Sequence, residues 1–230
     1  MTEQPVVAIL GSRIRARTAA EIGYGRRELA AYAVGCAEAA FDAGMVPFGM
    51  ASLAQMDERQ CGDLVDGLIL CPSGRCGNDD DEGDGGGAGD RFAPALVREA
   101  LRRHLPVLAI CQGVELLRRA LASPAEDDVV MPDDAERRFT ASRHEVMVDD
   151  PGLRDLLGAA LTTSMPHHGP RLPPMPGFRV AATGPAGSID ALVGVDRPVL
   201  AVRWHPESLP PGDPAREVPF RWLRQQVGRA

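Results

Sequence analysis

The 230-residue chain contains no lysine, so all 25 of its Lys+Arg positions are arginine. This absence removes Schiff-base catalysis, Ser–Lys dyads and the phosphate-binding lysine of a Walker A loop. The wealth of Arg beside Ala, Gly and Pro reads as a consequence of genome base composition. Long apolar runs are also missing: none approaches the roughly 20 residues that a membrane helix needs, so no membrane segment is expected. The opening Met1-Thr2-Glu3-Gln4-Pro5 lacks a basic stretch followed by an apolar core, and a cytoplasmic location is expected by default. Excess positive charge is absent as well. A net charge of −7 argues against a broad nucleic-acid-binding surface. The cysteines are few and odd in number: Cys36, Cys61, Cys71, Cys76 and Cys111. That pattern does not suit a disulfide framework. Cys71 and Cys76 are too widely spaced for CxxC, and no second Cys/His pair stands at zinc-finger spacing. No metal and no cofactor are expected.

What is present reads as an alternation of strands and helices. Val6–Leu10, Met45–Phe48, Leu64–Leu70 and Val107–Ile110 are short apolar strand candidates. Helix patterns cover Arg26–Ala43 and Ala93–His104, with Gly44 stopping the first. Such alternation predicts a doubly wound, largely parallel sheet. Beyond Ser123 the pattern changes. Residues 124–138 are acidic and irregular, Glu145–Val148 is a strand candidate, and Gly152–Leu161 reads as a short helix. Phe178–Thr183, Ile189–Val193 and Pro198–Trp204 follow as successive strands, which predicts an antiparallel extension, and Val218–Val227 reads as a closing helix. The expected fold is one α/β domain over residues 1–230: a flavodoxin-like, doubly wound, mostly parallel sheet with a small antiparallel extension. Residues 78–90, Asn-Asp-Asp-Asp-Glu-Gly-Asp-Gly-Gly-Gly-Ala-Gly-Asp, cannot pack a core and predict a flexible surface loop, with a lid as its functional reading. The spacing there does not match a calcium-binding EF-hand.

The chemistry concentrates in Val107-Leu108-Ala109-Ile110-Cys111-Gln112-Gly113. An apolar strand stops at a cysteine, and an amphipathic helix starts two residues later. This is the pattern of a nucleophile elbow, in which a sharp turn exposes one side chain at a helix N-terminus. Helix dipole and nearby N–H groups there favour a thiolate. A thiol nucleophile needs a base, and the base needs an orienting partner. His205-Pro206-Glu207 supplies both after the last apolar strand. If the segment is extended, residues 205 and 207 face the same side.

Ala109-Ile110-Cys111-Gln112-Gly113 together with Val202-Arg203-Trp204-His205-Pro206-Glu207 resembles the class I glutamine amidotransferase-like superfamily, in particular its γ-glutamyl-γ-aminobutyrate hydrolase (peptidase C26) branch. Asp66–Leu70, Val97–Leu101 and Ser164–His168 resemble further segments of that family. The resemblance implies a triad of Cys111 as nucleophile, His205 as acid and base, and Glu207 as orienter. It also implies an oxyanion hole from the N–H of Gln112 and of Ser73 or Gly74, since Pro72 has no N–H. Glu115 occupies a substrate-facing position that is often Gln in the family. A carboxylate there would favour a cationic group such as an α-ammonium. His167 and His168 stand where the family has a paired-histidine segment and are substrate-binding candidates. Arg13, Arg15 and Arg17, after the first strand, could grip a carboxylate or form a solvated basic loop.

The activity implied is hydrolysis of a γ-glutamyl amide through a glutamyl thioester, with a small-molecule γ-glutamyl substrate, no cofactor and no nucleic-acid or membrane partner. A homodimer is compatible with the sequence. Two other readings stay open. One is a glutaminase that delivers ammonia to a partner synthetase; the other is a non-catalytic binding protein that keeps the fold.

Overall fold

A computed structural model describes residues 4–14, 23, 29–51, 56–71, 92–122, 141–166 and 172–227. The strands are β1 (Val6–Leu10), β2 (Ser12–Ile14), β3 (Leu29–Ala31), β4 (Val46–Met50), β5 (Gly67–Leu70), β6 (Val107–Ile110), β7 (Ala141–Val148), β8 (Ala160–Pro166), β9 (Phe178–Thr183), β10 (Ile189–Gly194) and β11 (Val199–Val202). The helices are α1 (Val34–Asp42), α2 (Glu58–Asp63), α3 (Phe92–Arg102), α4 (Gln112–Leu121), α5 (Pro151–Leu157) and α6 (Pro214–Val227).

Alternation of side chains along the short apolar strands builds two cores, one on each face of the sheet. Val7, Ile9, Ile69, Leu108, Ile110, Leu200 and Val202 face α1, α5 and α6. Their neighbours Ala8, Leu10, Leu68, Leu70, Val107, Ala109, Val199 and Ala201 face α2, α3 and α4. Because both faces are covered, these strands read as continuous apolar runs. Among the described residues the sheet has nine strands, in the order β4-β1-β5-β6-β11-β10-β9-β7-β8. The first five are parallel, and the remaining pairings are antiparallel. Pro47, which lacks a ladder N–H, is confined to the edge strand β4. The doubly wound α/β sheet with an antiparallel extension is therefore the fold the sequence predicts.

Local differences have identifiable causes. The helix read over Arg26–Ala43 starts only at Val34, because Leu29–Ala31 pairs antiparallel with Ser12–Ile14 in a separate ribbon. Tertiary pairing there overrides the helix preference of Leu and Ala. Within the strand read over Leu64–Leu70, only Gly67–Leu70 is extended. Leu64 instead caps α2, a short helix whose N-terminus is held by Asp57 accepting from the N–H groups of Arg59 and Gln60 at 2.8 and 3.3 Å. The helix read to Leu161 ends at Leu157, because Ala160 and Leu161 pair with Met147 and Val146. Residues 78–90 and 124–138 lie outside the described residues.

Candidate active site

β6 and β11 are parallel neighbours with Ile110 opposite Val202, so their carboxyl ends open at the same edge. Open α/β sheets place ligand sites at that edge. Cys111 follows β6 directly, with φ 49° and ψ −104°. A positive φ in a residue with a Cβ costs about 1–3 kcal/mol and persists only where the surroundings enforce it. Enforcement comes from both sides. The Cys111 N–H donates to the Val202 carbonyl at 2.8 Å, and its carbonyl accepts from Val114 at 3.1 Å. Gly113 lets α4 press onto the end of β5, since a Cβ at that position would stand 2.0 Å from the Leu70 carbonyl oxygen. The elbow read from the sequence thus has the expected strand–turn–helix context, and Cys111 is half-buried at the N-terminus of α4.

His205 lies three residues beyond β11. Its Nδ1 is 2.6 Å from Glu207 Oε1. The two side chains do not meet through an extended segment, as the sequence suggests. Pro206–Ser208 forms a 3₁₀ turn, and His205 has φ −106° and ψ 82°. The turn is fixed by Trp204, which is fully buried and donates its indole N–H to the Ala215 carbonyl at 2.9 Å. On the other side Gly35 of α1 lies against the Glu207 backbone, where a Cβ would be 2.1 Å from the Glu207 carbonyl oxygen.

The electrostatics couple the three residues. Burial opposes a charged imidazole, but hydrogen bonding and charge from Cys111 and Glu207 outweigh it, raising the His205 pKa from 6.5 to about 10. A charged imidazole beside a cysteine stabilises a thiolate. The other Glu207 oxygen, Oε2, is buried and has no hydrogen-bond partner among the described residues. Two buried cysteines lie beside this carboxylate, Cys36 from α1 and Cys71 just after β5. The Cys36 thiol is pushed up by a hydrogen bond to Cys71, by burial and by the charges of Cys71 and Glu207.

Gln112 begins α4, so its backbone N–H belongs to the first turn beside Cys111. Ser73, Gly74, His167 and His168 lie outside the described residues, as do Arg15 and Arg17. Glu115 is engaged within its own helix. Arg118 binds both carboxylate oxygens at 2.8 Å and Arg119 adds a third contact at 3.1 Å. Burial raises the Glu115 pKa, but the two arginines more than offset this and leave it lowered. The sequence reading of a carboxylate open to a cation therefore has to include two guanidinium groups. It also missed His144, whose Nε2 is 2.8 Å from Asp190 Oδ2, and the approach of Cys36 and Cys71 to Glu207. No local motif signals either one, because the partners come from separate elements.

The two-faced α/β sheet with a cysteine elbow at the carboxyl end of a central parallel strand has the layout of the glutamine amidotransferase-like fold. Solved structures agree. The glutaminase domain of Trypanosoma brucei CTPS with bound acivicin matches with a TM-score of 0.64 and 12% identity, covering 98% of this chain and 94% of that one. A candidate GMP synthase component from Thermoplasma acidophilum matches with a TM-score of 0.65 and 14% identity, covering 100% and 96%. Within this fold the chain belongs to the Peptidase C26 family, whose model matches residues 5–207. Among curated relatives, the gamma-glutamyl-gamma-aminobutyrate hydrolase of Escherichia coli O157:H7 is 31% identical over 149 residues, covering 57% of this chain and 57% of that protein. The match therefore spans little more than half of that relative's length. No helix among the described residues is long and apolar enough to cross a membrane.

Proposed function

We propose that the chain hydrolyses a γ-glutamyl amide with Cys111 as nucleophile, His205 as acid and base, and Glu207 as the group that orients His205. The observation that carries this reading is the 2.6 Å His205–Glu207 contact, with His205 coupled to a cysteine held on a strained elbow. The membership in Peptidase C26 and the likeness to a gamma-glutamyl-gamma-aminobutyrate hydrolase support the substrate class.

In this mechanism the Cys111 thiolate attacks the γ-carbonyl carbon. Charge develops on the carbonyl oxygen and is met by backbone N–H groups, one from Gln112 and one from Ser73 or Gly74. Each such donor contributes roughly 10²–10³ in rate. The His205 imidazolium gives its proton to the departing amine as the C–N bond breaks, leaving a glutamyl thioester on Cys111. His205, now neutral, takes a proton from water as the water attacks the thioester. Glutamate leaves and the thiolate–imidazolium pair is restored. Glu207 holds Nδ1 so that Nε2 faces the sulfur and the substrate. Glu115, paired with Arg118 and Arg119, contributes to the charge around the first turn of α4, and His167 and His168 are carried as substrate contacts from the family likeness.

The test is mass spectrometry of the protein after exposure to a panel of γ-glutamyl amides that includes glutamine. A glutamyl adduct on Cys111, absent in Cys111→Ala, is the expected result. An unmodified Cys111 across the whole panel, with no glutamate released, rejects the reading. Turnover confined to glutamine and raised by a synthetase partner would instead assign the chain as an ammonia-delivering glutaminase.

A further inference from the structure

Glu207 uses one of its two oxygens on His205. The other is buried on a side chain that is 7% exposed and has no hydrogen-bond partner among the described residues. An unpaired polar oxygen in such a place is costly. What faces the carboxylate is sulfur. Cys36 is 0% exposed and Cys71 is 3% exposed, and their Sγ atoms and a Glu207 carboxylate oxygen all lie within 4.8 Å of one another. The three come from the first turn of α1, the residue after β5, and the turn after β11, so only the tertiary fold assembles them. Gly35 permits it, because any side chain there would push α1 away from Glu207.

We propose that Cys36, Cys71 and Glu207 form a binding site for a soft divalent cation of the zinc class. Two thiolates and one carboxylate are the donors such an ion prefers, while magnesium and calcium favour all-oxygen sites. Metal–sulfur and metal–oxygen bonds of about 2.3 and 2.1 Å put tetrahedral ligands roughly 3.5–3.8 Å apart, so closing the cluster requires movements of about 1 Å or less. On binding, each thiol releases one proton to solvent, and the two thiolates balance the charge of the cation. Glu207 supplies the third ligand, and the fourth position is left for a small ligand such as water. The metal draws on the same carboxylate that orients His205, so its binding inhibits turnover. That consequence rests on the triad reading, whereas the binding itself does not.

The experiment uses chelator-treated Cys111→Ser protein, which removes the elbow thiol as a competing ligand, titrated with Cd²⁺. The expected result is a cadmium–thiolate ultraviolet band that saturates at one equivalent with the intensity of two Cd–S bonds. The cadmium NMR shift should fall in the mixed sulfur–oxygen range. Adding Cys36→Ser or Cys71→Ser, which keep the side-chain volume, should remove half of the band or more and weaken affinity at least about tenfold. No band, an all-oxygen shift, or a band untouched by both serine substitutions overturns the site. For the consequence, Zn²⁺ should slow the otherwise wild-type enzyme reversibly, with Cys36→Ser less sensitive. Equal sensitivity in Cys36→Ser would place any inhibition at Cys111 and reject the coupling. An enzyme inactive on γ-glutamyl amides would leave the spectroscopic result standing, so the two claims fail separately.

Discussion

Two histidine–carboxylate pairs occur among the described residues, and they have opposite settings. His205 and Glu207 are 2.6 Å apart at the carboxyl edge of the parallel strands, with the histidine side chain 28% exposed. His144 and Asp190 are 2.8 Å apart inside the antiparallel wing, with side chains 8% and 2% exposed. Thr163 stands opposite His144 across β7 and β8, and Ser188 donates to the other Asp190 oxygen at 3.0 Å. In the wing, the buried pair links β7 to β10, and Thr163 of β8 and Ser188 add contacts to it. At the edge, the histidine is left accessible beside a thiol on a strained elbow. A short His–carboxylate contact is thus common to structural and candidate catalytic positions. The third group and the access of solvent separate them.

The comparison can be broken most forcefully at the nucleophile. Cys111→Ala should lower kcat/KM on the γ-glutamyl substrate by about 10⁴ or more, while circular dichroism and the thermal midpoint show a folded protein. Retained activity would remove the edge pair from catalysis.

Glu207→Gln should cost about 10²–10⁴ in kcat and should also move the pH profile, measured with chelator present. His205 must be protonated to release the amine. With its pKa raised to about 10, the alkaline limb of kcat/KM should lie near that pH. The imidazolium is present below it and lost as pH rises through it. Removing the carboxylate's hydrogen bond and charge should shift the limb down toward the ordinary value of 6.5. A limb that stays in place would mean that Glu207 does not tune His205.

His144→Ala sharpens the contrast from the other side. It should destabilise the fold by about 1–3 kcal/mol in urea unfolding, because Asp190 loses a buried partner, and leave turnover per folded molecule unchanged. A large loss of kcat at intact stability would give the wing pair a role in the reaction. The smallest effect is expected at Glu115→Gln. Its ion pairs lie on a partly exposed helix face and contribute about 0.5 kcal/mol or less to stability. A several-fold change in KM instead would show that the Glu115–Arg118 cluster reaches the substrate.

Much of the edge was legible in the sequence because its information is contiguous. An apolar tetrapeptide, a cysteine and a glycine two residues later encode a strand, a turn and a close helix approach. Gly113 is needed for the last of these because the Leu70 carbonyl occupies the space of a side chain. His205 and Glu207 were legible as a pair, although the 3₁₀ turn that joins them was not. That turn depends on Trp204 reaching Ala215 and on α1 packing against residue 207. The β2–β3 ribbon was illegible for a similar reason, since Leu29-Ala30-Ala31 favours a helix until Ser12–Ile14 offers a ladder.

The sequence by itself determined the alternating α/β architecture and the cysteine elbow, because periodicity and steric exclusion act over a few neighbouring residues. It also offered one His-Pro-Glu segment, His205 to Glu207, as the candidate partner of Cys111. Only the tertiary structure decided how His205 and Glu207 meet, which Glu207 oxygen is left without a partner among the described residues, and that Cys36 and Cys71 lie beside that carboxylate. Those outcomes depend on strand order, with β11 beside β6 and α1 against the turn after β11. Such juxtapositions join residues far apart in the chain, and no local pattern records them.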